Sequence, residues 1–400
     1  MRELALVLAL LFTSCAASEP SDGRTVLVLW HGYRSGEQAA VEQAVDRFNA
    51  SQDRIVVRAQ AIPSTPFADK VTITVPRGQG PDLFIFAHDK IGTWAEKGVL
   101  EPLTEHLSEV ELSAFVPQSV RALVYLKNLY GLPLSLKTLV MFYNKALLPA
   151  PPATMEALID AVKPLQIKGQ RYGIVYQAGS LFFHAMWVHA FGGALFDPQR
   201  RPALDSDAQV AALDFVRSLH LTHDVLPAGI SGFMVTSLFN AGNAAVVFNG
   251  PWFRGEISGV DYGIAPIPTV QGGIPRPLLT VEALFISKTS RQKDAALEFA
   301  RYLSGPEASR LRLELGKVPV AHAEILREGS KTDPSLAVWM TQAERSEVGD
   351  ATPQMQYLWG PADTAIAAGI FDEGRSPRDE LQKAQRKVLA DLERAGRQSQ

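Results

Sequence analysis

A chain of 400 residues with 46% hydrophobic and 20% charged side chains has the composition of a packed globular protein, which excludes a disordered one. Its formal net charge of -3, without a cluster of lysines and arginines, excludes an electrostatic footprint for a nucleic-acid backbone. With one cysteine, Cys15, no intrachain disulfide is possible, and no spaced cysteine–histidine set points to a metal or another cofactor.

The chain opens with Arg2 and an apolar run from Leu4 to Phe12. That run is about half the ~20 residues a bilayer-spanning helix needs, so it predicts the core of an export signal over 1–14. Cys15 stands where the run gives way to Thr13 and Ser14, and LFTSC resembles a bacterial lipobox. The resemblance implies that Cys15 is lipidated and that 15–23 is a polar tether too poor in apolar surface to pack. The remainder exceeds the size at which a single core keeps growing, which predicts two domains.

In chain order, Thr25 to Trp30 predicts a strand, and Ala40, Val41, Ala44, Val45 and Phe48 recur at helical spacing. Ile55-Val56-Val57 and Asp82 to Phe86 predict two further strands, and this β-α-β order predicts a largely parallel sheet. Ala208 to Leu221 reads as a helix, Ala244 to Phe248 and Leu278 to Ile286 as strands, and the chain from Asp294 onward as mostly helical. The last helix is predicted to start at Ser376, with Pro377 in its first turn and Asp379 favouring its positive end. Neither a long linker nor an internal repeat is present, which favours two lobes joined by several short crossings.

No nucleophile elbow, phosphate loop, zinc-protease helix or dinucleotide fingerprint occurs. His184 and His189 are badly spaced for one metal on a helix and read as packed or surface histidines. Asp82 and Asp89 are a conceivable carboxylate pair of the kind glycoside hydrolysis needs. Aromatic residues beside polar ones are the stronger lead: Trp30 to Arg34, Phe86 to Lys90, Asn249 to Trp252, and Tyr357 to Gly360. Sugars present apolar C–H faces and a belt of hydroxyls, so rings with neighbouring charged groups near strand ends suit them.

Five stretches carry a resemblance across the chain from about Thr25 onward. They are GPDLFIFAHDKIGTWAEKGVLEPL (80–103), YGLPLSLKTLVMFYNKALLP (130–149), FNAGNAAVVFNGPWFRG (239–255), VDYGIAPIPT (260–269) and PQMQYLWGPADTAI (353–366). In this order the chain resembles the extracellular solute-binding proteins of ABC sugar importers, most closely the maltose/maltodextrin-binding members. The resemblance implies an α/β, periplasmic-binding-protein-like fold: two α/β lobes around a ligand cleft, joined by a multi-segment hinge. The first lobe would hold 22–135 and 283–333, the second 138–280 and 336–400. It further implies non-catalytic binding of maltose, a maltodextrin or another α-linked di- or oligosaccharide by cleft closure and delivery to permease subunits, by a lipid-anchored and monomeric protein on the periplasmic or cell-surface side of a bacterial membrane.

By the same resemblance, Trp252 and Trp359 would stack on sugar and Asp89 would accept hydroxyl hydrogen bonds. Lys90 stands where the family has arginine, and Phe86 where it has tryptophan. Tyr33 and Arg34 fall in the loop that supplies an aspartate and a lysine. Lys137 replaces a sugar-contacting glutamate, and Ser180 and Phe182 replace a glutamate and a tyrosine. Three acceptor carboxylates of the pattern therefore lack a secure counterpart at these positions. Two rival readings use the same residues: a lipoprotein glycoside hydrolase, and a sugar sensor without transport.

Overall fold

The computed structural model describes residues 23–398. The signal segment, Cys15 and all of the tether but Gly23 lie outside the described residues. In chain order the strands that build the two main sheets are β1 (Thr25–His31), β2 (Ile55–Ala61), β3 (Leu83–Ala87), β4 (Gly131–Lys137) and β5 (Val140–Asn144). They continue with β6 (Tyr172–Val175), β7 (Ala244–Asn249), β8 (Tyr262–Ala265), β9 (Leu278–Ile286) and β10 (Glu347–Val348). The helices that matter for the site are α1 (Ser35–Ser51), α2 (Leu181–Ala190), α3 (Asp207–Leu221), α4 (Pro334–Arg345), α5 (Trp359–Phe371) and α6 (Pro377–Gln398).

The first sheet has the order β10-β9-β3-β1-β2, with β4 also paired to β9. β1 is parallel to β2 and β3, as the β-α-β order predicts, and the expected face of α1 is buried against them. The sheet as a whole is nevertheless mixed. β9 runs antiparallel to both β3 and β4, because it enters from the other half of the molecule rather than through a crossover helix. The second sheet, β8-β5-β7-β6, is also mixed, with only β6 and β7 parallel.

Each sheet has its own core. Leu27, Val45 and Phe299 belong to one, and Met141, Trp187 and Phe248 to the other. A third cluster, including Phe84, Trp94, Phe142, Phe253 and Trp339, joins the two halves. The chain passes between the sheets at Lys137–Val140, along β9, and at Asp333, where one helix ends and α4 begins. β10 lies beyond the last of these passages, yet it pairs with Leu278 and Leu279 on the first sheet.

One turn breaks the usual chemistry. The hairpin strands Val124–Tyr125 and Asn128–Leu129 are joined by Leu126 and Lys127, with φ of 46° and 69°. A two-residue hairpin loop with both φ positive favours Asn-Gly, because a Cβ there crowds the backbone. Leu126 is also 72% exposed. Replacing the pair by Leu126→Asn and Lys127→Gly raises the unfolding free energy by about 1 kcal/mol, measured by urea denaturation. An unchanged or lower midpoint would show that the turn is not strained.

Candidate functional site

Two adjoining cavities open between the sheets, of about 420 and 360 Å³, and both are lined by Ala87, Lys137, Trp252 and Glu282. Trp252 stands on the 3-10 turn Pro251–Glu256 at the end of β7, half-buried, with its ring centroid 6.2 Å from that of Phe182. Its place depends on Gly250, where a Cβ would come within 2.2 Å of the indole ring. The larger cavity adds Tyr33, Arg34, Glu37 and Phe86, and the smaller adds Asp89, Phe182, Asp350 and Trp359.

Lys137 is the floor where the cavities meet. Its Nζ lies 2.9 Å from Glu37 Oε1, in the first turn of α1, and 2.9 Å from Glu282 Oε2, on β9. Glu282 Oε2 also accepts from Tyr33 Oη at 2.8 Å and from Ser135 Oγ at 3.1 Å. The Lys137 ammonium sits 5.5 Å from the centre of the Tyr33 ring, a cation–π distance. Burial opposes the lysine's charge, but the two carboxylates outweigh it and raise its pKa. Burial also raises the pKa of Glu37, with Lys137 opposing, and burial with Glu282 raises that of Tyr33. Behind them Arg312 is buried and donates from Nη2 to the Leu303 carbonyl at 2.8 Å.

The expected site residues divide into three groups. Trp252, Trp359, Asp89, Phe86, Tyr33, Arg34, Lys137 and Phe182 all line this pair of cavities. Phe86 does so within an aromatic cluster, stacked on Phe67 at 5.3 Å and tilted against Trp94 at 5.2 Å. Lys90 is held by the side chain of Gln356, whose Nε2 donates to the Asp89 carbonyl at 2.8 Å. Lys90 is thus part of a tie between the two halves and does not line either cavity. Ser180 precedes α2 and lines a separate cavity with Tyr176, Asp363 and Phe371. There Asp363 Oδ1 accepts from the Leu181 amide, and Asp363 lines neither of the two cleft cavities.

Asp82 and Asp89 do not form a pair. They flank opposite ends of β3, and Asp82 is occupied by the Val28 amide at 2.9 Å and Ser290 Oγ at 2.6 Å. His184 is fully buried in α2, and burial pushes its pKa down to about 3; the ring of His189 meets the Arg276 carbonyl at 2.5 Å. His88 is structural as well. Its Nδ1 accepts from the Val281 amide at 3.1 Å, so Nε2 carries the proton and donates to the Gly349 carbonyl at 2.8 Å.

The sequence reading missed Glu37, Glu282, Asp350 and Gln356. Glu282 did leave a signal: it is the one charged residue in an otherwise apolar strand, LLTVEALFI. A carboxylate kept among eight uncharged residues is costly to bury without a partner, so it asks for one. Among the described residues no cluster of histidine, cysteine and carboxylate side chains suits a metal ion.

The family model for "Bacterial extracellular solute-binding protein" matches residues 33–310. The chain is 30% identical over 387 residues to the maltotriose-binding protein of Pyrococcus abyssi (strain GE5 / Orsay), covering 94% of this chain and 84% of that one. It is 26% identical to the galactooligosaccharide-binding protein of Bacillus subtilis (strain 168), over 95% of this chain and 94% of that one. Its fold matches the Thermus thermophilus maltotriose-binding protein with a TM-score of 0.83 at 23% identity, covering 92% of this chain and 100% of that chain. A match over most of the length, to the family model and to relatives that share the two-lobed fold, leads to one conclusion: this chain belongs to the bacterial extracellular solute-binding protein family.

Proposed function

We propose that the cleft binds a neutral oligosaccharide without chemical change and that the loaded protein is read by the permease of an ABC importer. The observation that carries this reading is the placement of Trp252 on two cavities that share Lys137 and Glu282, with Glu37 on the wall of the larger one. An indole face suits the C–H face of a sugar ring, and ionised carboxylates accept its hydroxyls through charge-assisted hydrogen bonds. Two cavities on either side of one ring suit a ligand of at least two sugar units. Maltose or a maltodextrin is the first choice, supported by the maltotriose-binding relative; the galactooligosaccharide-binding relative makes that class the first alternative.

The same floor argues against glycoside hydrolysis. A hydrolase needs one carboxyl protonated as an acid and the two carboxyls facing each other across the scissile bond. Here the Lys137 ammonium lies 2.9 Å from both Glu37 and Glu282, so a lysine fills the space between them that a scissile bond would need. Isothermal titration with maltose, maltotriose, trehalose, cyclodextrins and a galactooligosaccharide, followed by chromatography of the sample, tests the reading. Saturable heat with intact sugar is expected; released monosaccharide, or no heat with any of these sugars, overturns it.

Lipid on Cys15 would hold this sugar trap at the outer face of a bacterial membrane, as the LFTSC stretch implies, and two or more acyl chains would anchor it stably. Mass spectrometry of the protein from a membrane fraction, against a Cys15→Ser variant released to the soluble fraction, tests that part separately. Gly250→Ala is a finer probe of the cleft, since it forces the Trp252 ring aside while Gly250 itself lines neither cavity. Sugar affinity is expected to fall about tenfold, or about 1.4 kcal/mol. Unchanged affinity would mean that the ring position is not used.

A further inference from the structure

The turn that carries Trp252 also carries Arg254, which points away from the sugar cavities and toward the other half of the molecule. Its Nη2 donates to Asp333 Oδ2 at 3.0 Å and its Nη1 to the Lys317 carbonyl at 3.4 Å. The arginine side chain is 13% exposed and the aspartate 36%, so the pair is only partly screened by water. Both acceptors belong to places where the relative position of the lobes is decided.

Lys317 follows a π-helical turn, Arg312–Gly316, whose Leu315 and Gly316 form a wall of the larger sugar cavity. Just beyond it, the Pro319 carbonyl accepts from the Leu136 amide and the Ala321 amide donates to the Leu134 carbonyl, fixing this stretch to β4 of the first sheet. Asp333 lies between a helix that ends at Thr332 and α4, whose Trp339 packs 6.1 Å from Phe142 of the second sheet. It is therefore a point at which the chain passes from one lobe to the other. Its Oδ1 caps α4 by accepting from the Ser335 amide at 3.0 Å, while Oδ2 receives Arg254.

We infer that Arg254 is a positioning residue for cleft closure, a latch that locks the Trp252 turn to the hinge crossing at Asp333 and to the cavity wall at Lys317. The two-pronged guanidinium is suited to this, since one group reaches a carboxylate and a carbonyl at once. An interaction that opening of the cleft must break adds to the lifetime of the closed state. Its effect belongs in the dissociation rate. This inference rests on the sugar-trap reading above.

Stopped-flow measurement of sugar release from the full-length protein tests it, with maltotriose as the probe. Arg254→Gln and Asp333→Asn are each expected to speed dissociation roughly tenfold at an unchanged association rate. The double variant is expected to be no faster than the quicker single one, because both changes remove the same contact. Asparagine keeps the helix cap, so Asp333→Asn serves where Arg254→Gln fails to fold. Arg254→Lys, which keeps the charge and loses the fork, is expected to fall between. Unchanged dissociation in Asp333→Asn, or additive effects in the double variant, would overturn the latch. If the unaltered protein binds no sugar, the functional reading fails by itself. The latch is then judged by small-angle scattering of the sugar-free proteins, where a larger radius of gyration in both variants supports it and an equal one refutes it.

Discussion

Trp252→Ala is expected to weaken oligosaccharide binding by about 2–3 kcal/mol, roughly 30–150-fold, without abolishing the fold. The indole is the one large ring shared by both sugar cavities, so its loss removes the apolar face from two subsites together. Trp359 lines only the smaller cavity, at the start of α5, and Trp359→Ala is expected to cost about half as much. Trp252 also packs against two of the hydrophobic clusters, so its removal lowers stability as well as affinity. Trp252→Phe separates the two effects, because it restores most of the packing and leaves a smaller face for the sugar. Titration at matched folded fractions checks this. Equal affinity for Trp252→Ala and the unaltered protein would refute stacking.

Much of the scaffold was legible because the strands that hold the site announce themselves. β9 has the bounds its β-branched and aromatic residues predict, and α1 buries the face its spacing predicts. β4 was not announced, since Gly131 and Pro133 argue against a strand. It forms because a bulge opposite Glu282 and Ala283 gives the proline a place in the ladder. Within the site, Trp252, Trp359 and Asp89 belong to the segments of aromatic beside polar residues that the sequence singles out, and each lines a cavity. Glu37 and Glu282 were not legible in this way. They come from α1 and β9, far from Lys137 in sequence, and a linear pattern carries no distance between such elements. Position 137 accordingly read as an acceptor lost to a reversed charge. In the folded protein that lysine gathers two carboxylates to the cleft from other elements. Ser180 rests on correspondence alone and lines a different cavity, while Lys90, in the Phe86 to Lys90 segment, is drawn to Gln356, which is distant in sequence.

Lys137→Met is expected to be the most disruptive single change in the cleft, lowering stability by about 3–5 kcal/mol at pH 7.5. The methionine fills the space of the stem but removes the cation that both Glu37 and Glu282 touch, leaving buried Arg312 behind them as a weaker counter-charge. Both glutamate side chains are 16% exposed, too buried for water to screen the repulsion fully. The pair then behaves as two carboxyls sharing one site, and the pKa of one is driven further above the ordinary carboxylate range than Glu37 already stands. The folded protein thereby holds a proton that the unfolded chain has released. Stability linked to that proton is gained as pH falls through the raised folded value and is complete below the unfolded one. The variant should therefore recover part of its loss between pH 7.5 and pH 5, relative to the unaltered protein under the same conditions. Urea unfolding at both pH values measures this, with sugar titration alongside. A loss below about 1 kcal/mol, or one that does not change with pH, would mean that Lys137 is not what holds the two carboxylates in place. Glu282→Gln gives the complementary result: it keeps a group able to accept from Tyr33 and Ser135 but removes one of the lysine's two counter-charges. Affinity should then fall more than stability, because Glu37 still faces the ammonium while the sugar loses a charged acceptor on the shared floor.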